Sequence, residues 1–223
     1  MTGADHRRRL FVPLKAEPFG WFESGAKEWE IRRNAGAFAL ERLTIGQRVE
    51  LRRGYTGDSL WGTISELQEG LAAEILGRIP FESIIPTAST AEDAALFIND
   101  LLGSGEILSA VRVQVDEHRS ALDLAFSGEY LEPVGSGDKT TTVRFGHRDV
   151  SPGPAIFHFG ADTARRGAII EVRHVAVPDL TARDAIDDGF ASVADLLAAL
   201  ERHYPEMRPD SPLTILEFRC RHD

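Results

Sequence analysis

Charged and apolar positions alternate along residues 28–32, EWEIR, which is the two-residue period of a strand with one face buried. Trp29 and Ile31 are expected on the core side, with Glu28, Glu30 and Arg32 sharing the other. RLFVPLK (9–15) reads as a strand or extended lead-in, and EPFGWFESG (17–25) as a short helix closed by Gly25. QRVELRR (47–53), LWGTISEL (60–67) and EILSAVRVQV (106–115) read as further strands. STAEDAALFINDLL (89–102) changes to a helical period, with Ser89 and Glu92 at capping-box spacing.

The second half follows the same order. SALDLAF (120–126) predicts a strand, GEYLEPVGSG (128–137) a short helical turn and TTTVRF (140–145) an alternating strand. AIFHFG (155–160) and AIIEVRHVAV (168–177) predict strands, SVADLLAALERHY (192–204) a helix capped by Ser192 with Asp195, and LTILEFRC (213–220) a closing strand. A local repeat anchors this correspondence: SGAKEWEIR starts at residue 24 and SGDKTTTVR at residue 136, an offset of 112 (136 − 24). Two copies of one α+β unit explain it. The polar DEHR at 116–119 places the boundary, giving units over 9–118 and 119–223.

Composition narrows the class. The 223 residues are 43% hydrophobic and 27% charged, which excludes a chain too polar to bury a core. No apolar run reaches the ~18 residues of a membrane span, and MTGADHRRRLFVPL lacks a signal-peptide apolar core. A cytoplasmic protein is expected. The single cysteine, Cys220, forms no internal disulfide and reads as a strand residue. The seven histidines show no metal-ligand spacing, so no metal and no cofactor is expected. Net charge is −10, which disfavours long non-specific contact with nucleic-acid backbone. The charge is uneven, however: +3 over residues 1–60, −10 over 61–135 and −3 over 136–223. A local basic mouth near each motif is compatible with this. HRRR at 6–9 reads as a polar, frayed terminus.

The repeated motif suggests chemistry. Glycine after a helix takes the left-handed conformation, so SG-x-K turns the chain sharply from helix into strand and leaves its lysine where the two converge. In the second copy Thr140, Thr142 and Arg144 fall on one strand face, so Lys139, Thr142 and Arg144 are expected around one pocket. A partly buried lysine beside an arginine has its charged form disfavoured, which brings its pKa towards the range of a useful base. Such a lysine can take the proton of Thr142 and leave a hydroxyl nucleophile. Asp187 and Asp188, in DAIDDGF, are candidates for the acid, because Gly189 ends that short helix and leaves them at its mouth. The plain structural alternative for each copy is a turn glycine, a solvated lysine and an arginine lying over a sheet; for the aspartates it is a solvated helix end. Trp21, Phe22 and Trp29 fit either base stacking or core packing.

Gly25-x-Lys27-x-x-Glu30-x-Arg32 resembles the GxKxxExR signature of the ASCH (activating signal cointegrator homology) family, PUA-like β-barrels associated with RNA. Gly137-x-Lys139-x-x-Thr142-x-Arg144 resembles the threonine form of that signature. KEWEIRRNAGAF and GYTGDSL are similar to small phage-type relatives, and LTARDAIDDGFASVADLLAALERHYP to the ASCH segment in which an acidic residue precedes Gly-Phe and a helix ends in Tyr-Pro. The resemblance implies two PUA-like barrels in tandem, each with short flanking helices and a cleft for a base or nucleoside. It implies RNA, a nucleotide or a modified nucleoside as partner, with Lys27, Glu30, Arg32 and Arg144 binding. Some single-domain members are amidohydrolases of N4-acetylcytidine that use lysine, threonine and glutamate. That points to Lys139 and Thr142, with Asp188 in place of the glutamate; the first copy has Glu30 where the threonine would be. A protein-interaction module using the acidic middle segment is a third class.

Overall fold

The computed structural model describes residues 6–117, 121–161 and 163–220. It forms two compact units, one spanning Leu10–His118 and the other Met1–Arg9 with Arg119–Asp223. The basic N-terminal segment is therefore not a frayed end. Its strand β1 (His6–Arg8) pairs antiparallel with a long strand of the C-terminal unit, Arg8 opposite Glu171.

The N-terminal unit contains β2 (Leu10–Leu14), α1 (Ala16–Glu23), β3 (Trp29–Arg33), β4 (Arg48–Arg53), β5 (Ser59–Gly70), α2 (Ala72–Leu76), α3 (Ala91–Leu102) and β6 (Leu108–Val115). Its sheet runs β2-β4-β5-β6-β3, antiparallel except for the parallel pair β2 and β4. β3 pairs along β6 with Glu30 opposite Val111 and Ile31 opposite Ala110. The two faces feed two different cores. Trp29 and Ile31 pack with Ile75 and Ile98 under the helices, while Val111 lies with Val12, Phe22 and Leu51 on the other side. The face carrying Glu30 is thus interior too, and Glu30 is buried. The α3 N-cap is Thr90, whose hydroxyl accepts from Asp93 N at 3.1 Å; this is one residue beyond the expected Ser89.

The C-terminal unit contains β7 (Leu122–Phe126), α4 (Leu131–Ser136), β8 (Thr141–Phe145), β9 (Gly153–Phe159), β10 (Thr163–Ala176), α5 (Ala182–Asp187), α6 (Val193–His203) and β11 (Pro212–Cys220). Ser120, the expected start of β7, and Arg119 of the expected boundary lie outside the described residues. The sheet order β7-β9-β10-β11-β8 repeats that of the first unit, again with a parallel first pair, and β1 adds to β10. Each long central strand carries one register shift, between Ile64 and Glu66 and between Ile169 and Glu171, a bulge that increases twist. Both sheets are curled half-barrels with flanking helices. On β8, Val143 faces the helical core of Leu196, Leu200 and Ile215, while Thr142 stands opposite Leu216 on the side of Phe126, Phe157 and Phe218. Ser192 caps α6 as expected, accepting from Asp195 N at 3.2 Å. None of the described helices is long and apolar enough to cross a membrane.

Candidate functional site

Each motif begins where a helix ends on a left-handed glycine, Gly25 at φ 76° after α1 and Gly137 at φ 86° closing α4. The turn is closed identically in both copies. Lys27 N donates to Trp21 O at 3.0 Å and Lys139 N to Pro133 O at 2.9 Å. The next residue docks against a second helical segment, with Glu28 N donating to Ser83 O at 2.9 Å and Thr140 N to Asp187 O at 2.8 Å. These bonds drive both lysine side chains inwards. Lys27 Nζ donates to Ile84 O and Lys139 Nζ to Asp188 O, each at 2.6 Å, and both lysines are buried.

The arginines also correspond. Arg32 Nη2 donates to Pro13 O at 2.9 Å with its guanidinium 5.6 Å from the Phe38 ring centre; Arg144 Nη2 donates to Ala125 O at 2.8 Å with its guanidinium 5.4 Å from that of Phe126. Sequence reasoning missed these carbonyls, although Pro13 and Ala125 stand at the same offset of 112 (125 − 13). Aromatic rings flank both lysines: Phe22, singled out in the sequence, lies 5.4 Å from Lys27 Nζ, while Tyr130 and Phe190, which sequence reasoning missed, lie 4.7 and 6.0 Å from Lys139 Nζ.

The clefts differ in where the carboxylate sits. In the first, Glu30 serves both cations, with Oε1 accepting from Arg32 Nε at 2.7 Å and Oε2 lying 3.5 Å from Lys27 Nζ. In the second, Thr142 takes the place of Glu30, and the acid comes from Asp188 at the position of Ile84. Asp188 caps the C-terminus of α5, Oδ1 pairing with Lys139 Nζ and Oδ2 accepting from Val143 N at 2.8 Å. Asp187 points elsewhere and pairs with Arg183 at 2.7 Å. Lys139, Thr142 and Asp188 are all buried, but no hydrogen bond joins Lys139 to Thr142 among the described residues.

Burial pulls both lysines below the ordinary ammonium range. For Lys27 the Glu30 carboxylate opposes that shift. For Lys139 burial and then the Arg144 cation bring it to about 7, and the Asp188 carboxylate in contact with the ammonium works in the opposite direction. No trio of His, Cys, Asp or Glu side chains among the described residues is placed to hold a metal ion.

The chain is similar to solved ASCH domains over about half its length. The ASCH structure from Zymomonas mobilis is 16% identical, covering 48% of this chain and 68% of its own with a TM-score of 0.37. PF0455 from Pyrococcus furiosus is 13% identical, covering 49% and 99% at 0.38. The hypothetical protein PH0355 is 13% identical, covering 48% and 99% at 0.41. Neither a protein-family model nor a curated protein matches the sequence.

Proposed function

We propose that this chain is a cytoplasmic protein that recognises RNA, a nucleotide or a modified nucleobase in its two clefts. The observation that carries the reading is the duplicated framework: a buried lysine held on a backbone carbonyl, beside an arginine stacked on phenylalanine, built twice by matching hydrogen bonds. Buried cations are costly unless paired, as both lysines are, and cation and aromatic together suit the carbonyl edge and π face of a base. Equilibrium titration of the full chain with nucleosides and short RNA tests it. Saturable binding weakened by Arg32→Gln or Arg144→Gln supports the reading; binding indifferent to both overturns it.

A second reading, amide hydrolysis of N4-acylated cytidine, is favoured by the contact of Lys139 with Asp188 beneath the strand that carries Thr142. Neutral Lys139 takes the Thr142 proton as Oγ1 attacks the acyl carbonyl. The N4 amine leaves with that proton, Asp188 holding the ammonium in place to deliver it. Water then cleaves the threonyl ester, giving cytidine and the free acid, while Arg144 faces the developing oxyanion. Single-turnover hydrolysis of N4-acetylcytidine tests this reading, and its absence in the wild type would remove it without touching the first.

A further inference from the structure

Helix α3 has a counterpart in α6. Each is capped by a hydroxyl that accepts from the backbone N–H three residues on, Thr90 from Asp93 and Ser192 from Asp195. Each buries the fourth and eighth residues after its cap, Ala94 and Ile98 in one and Leu196 and Leu200 in the other. The faces that pack are therefore in phase, and so are the faces that do not.

On α3 the outer face carries Leu96, Phe97 and Leu101, which are 69%, 56% and 61% exposed. Residues three and four apart are neighbours on a helix, so Phe97 adjoins Leu101, and Asp93 and Asp100 stand among these side chains. Both aspartates are exposed, and neither pairs with a cation among the described residues. Arg33, at the C-terminal end of the helix, is engaged with Leu102 O at 2.5 Å. On α6 the same positions hold Ala198, Ala199 and His203, with Asp195 and Arg202 in the places of Asp93 and Asp100. The fold thus seats this helix without large apolar side chains on its outer face. Contiguous apolar side chains exposed among polar ones mark an interaction surface.

Charge selects the partner. Residues 61–135, which include α3, carry a net charge of −10, so RNA and anionic lipid headgroups are repelled. A second copy of the chain, α3 against α3, would bring its own Asp93 and Asp100 against these two. A basic partner meets no such cost. The row from Phe97 to Leu101 runs along the helix as a ridge of the kind against which a second helix packs.

We infer that the outer face of α3 is a docking surface for a basic amphipathic helix of a partner protein. Its apolar side chains cover Leu96, Phe97 and Leu101, and its lysines or arginines meet Asp93 and Asp100. The surface is separate from the first cleft, because α3 packs on Trp29 and Ile31, the face of β3 opposite to Glu30.

Titration of the full chain with a synthetic Leu/Lys peptide of helical period tests this, against the same residues in scrambled order and against a Leu/Glu peptide of the helical pattern. The Leu/Lys helix is expected to bind about tenfold or more tightly than either control, with affinity falling as salt rises. Leu96→Ala, Phe97→Ala and Leu101→His together, which give α3 the residues of α6, should remove that margin and leave the melting temperature close to that of the wild type. Asp93→Asn with Asp100→Asn should flatten the salt dependence. Equal binding of the three peptides, or a margin that survives the triple variant, overturns the docking surface. A melting temperature that falls clearly in the triple variant also overturns it, because the chain itself then covers the face. So does a wild type that dimerises in sedimentation equilibrium while the triple variant stays monomeric, because a second copy is then the occupant.

Discussion

Lys27 and Lys139 occupy the same place in the fold but depend on different partners, and the same substitution should therefore have unequal effects. Lys139→Met strands the buried Asp188 carboxylate, a loss on the order of 3–5 kcal/mol. Lys27→Met leaves Glu30 still paired with Arg32 and should cost clearly less, as paired urea denaturation curves would show. Thr142→Val keeps a β-branched side chain of nearly the same shape in a buried strand position, so it should abolish any N4-acetylcytidine turnover while leaving the melting temperature close to that of the wild type. Turnover that survives the valine would rule out the hydroxyl as nucleophile. Turnover should also rise as pH increases, because the working base is neutral lysine: activity is present above the Lys139 pKa and lost below it. Asp188 favours the ammonium, so Asp188→Asn should move the lysine further down. An Nζ titration followed by NMR would reveal it, and a shift upwards would contradict the assigned contact. The motif residues were legible in the sequence because the repeat singled them out. That Glu30 serves two cations was not: strand alternation put it on an outward face, whereas in a curled sheet that face is interior, and Glu30 meets Arg32 as well as Lys27 there.

At the scale of elements, the short α5 sets the second cleft. Its N-terminus is closed by reciprocal hydrogen bonds between Thr181 and Asp184, and Asp184 also pairs with Arg173 of β10. Burial opposes ionisation of Asp184, but the bonds from Thr181 and Arg173 outweigh it and hold its pKa below the ordinary carboxylate value. The stability this gives is present above the unfolded-state pKa and lost as pH falls through the lowered folded value. Asp184→Asn is therefore expected to destabilise the unit by about 1–2 kcal/mol at neutral pH, with the difference vanishing in acid; a penalty independent of pH would contradict the sign. Helices and strands were readable where one face is apolar, as in α6 with Leu196 and Leu200. The α3 cap was misplaced by one residue because Ser89 and Thr90 both stand three residues before an acid, and spacing alone does not choose between them. Strand β1 was unreadable for another reason. HRR has no apolar period, and its place comes from pairing with residues 171–173, far along the chain.

For the whole molecule, the overall charge and the clefts act in opposite senses. A net charge of −10 repels extended polyanions, while each cleft offers only a few cations. Binding to long random RNA should accordingly be weak at physiological salt, with a shallow dependence of log K on log salt. Tight, steeply salt-dependent binding would show that a surface outside the clefts carries the contact. The tandem arrangement was legible from the 112-residue repeat, but the crossing of His6–Arg8 into the C-terminal sheet was not. A crystal of the full chain soaked with a nucleoside 5′-monophosphate tests whether the duplicated framework is a pair of base-recognition clefts. The base is expected in the second cleft beside Lys139 and Arg144. A ligand that occupies neither lysine–arginine cleft at saturating concentration, while binding elsewhere on the chain, would contradict it.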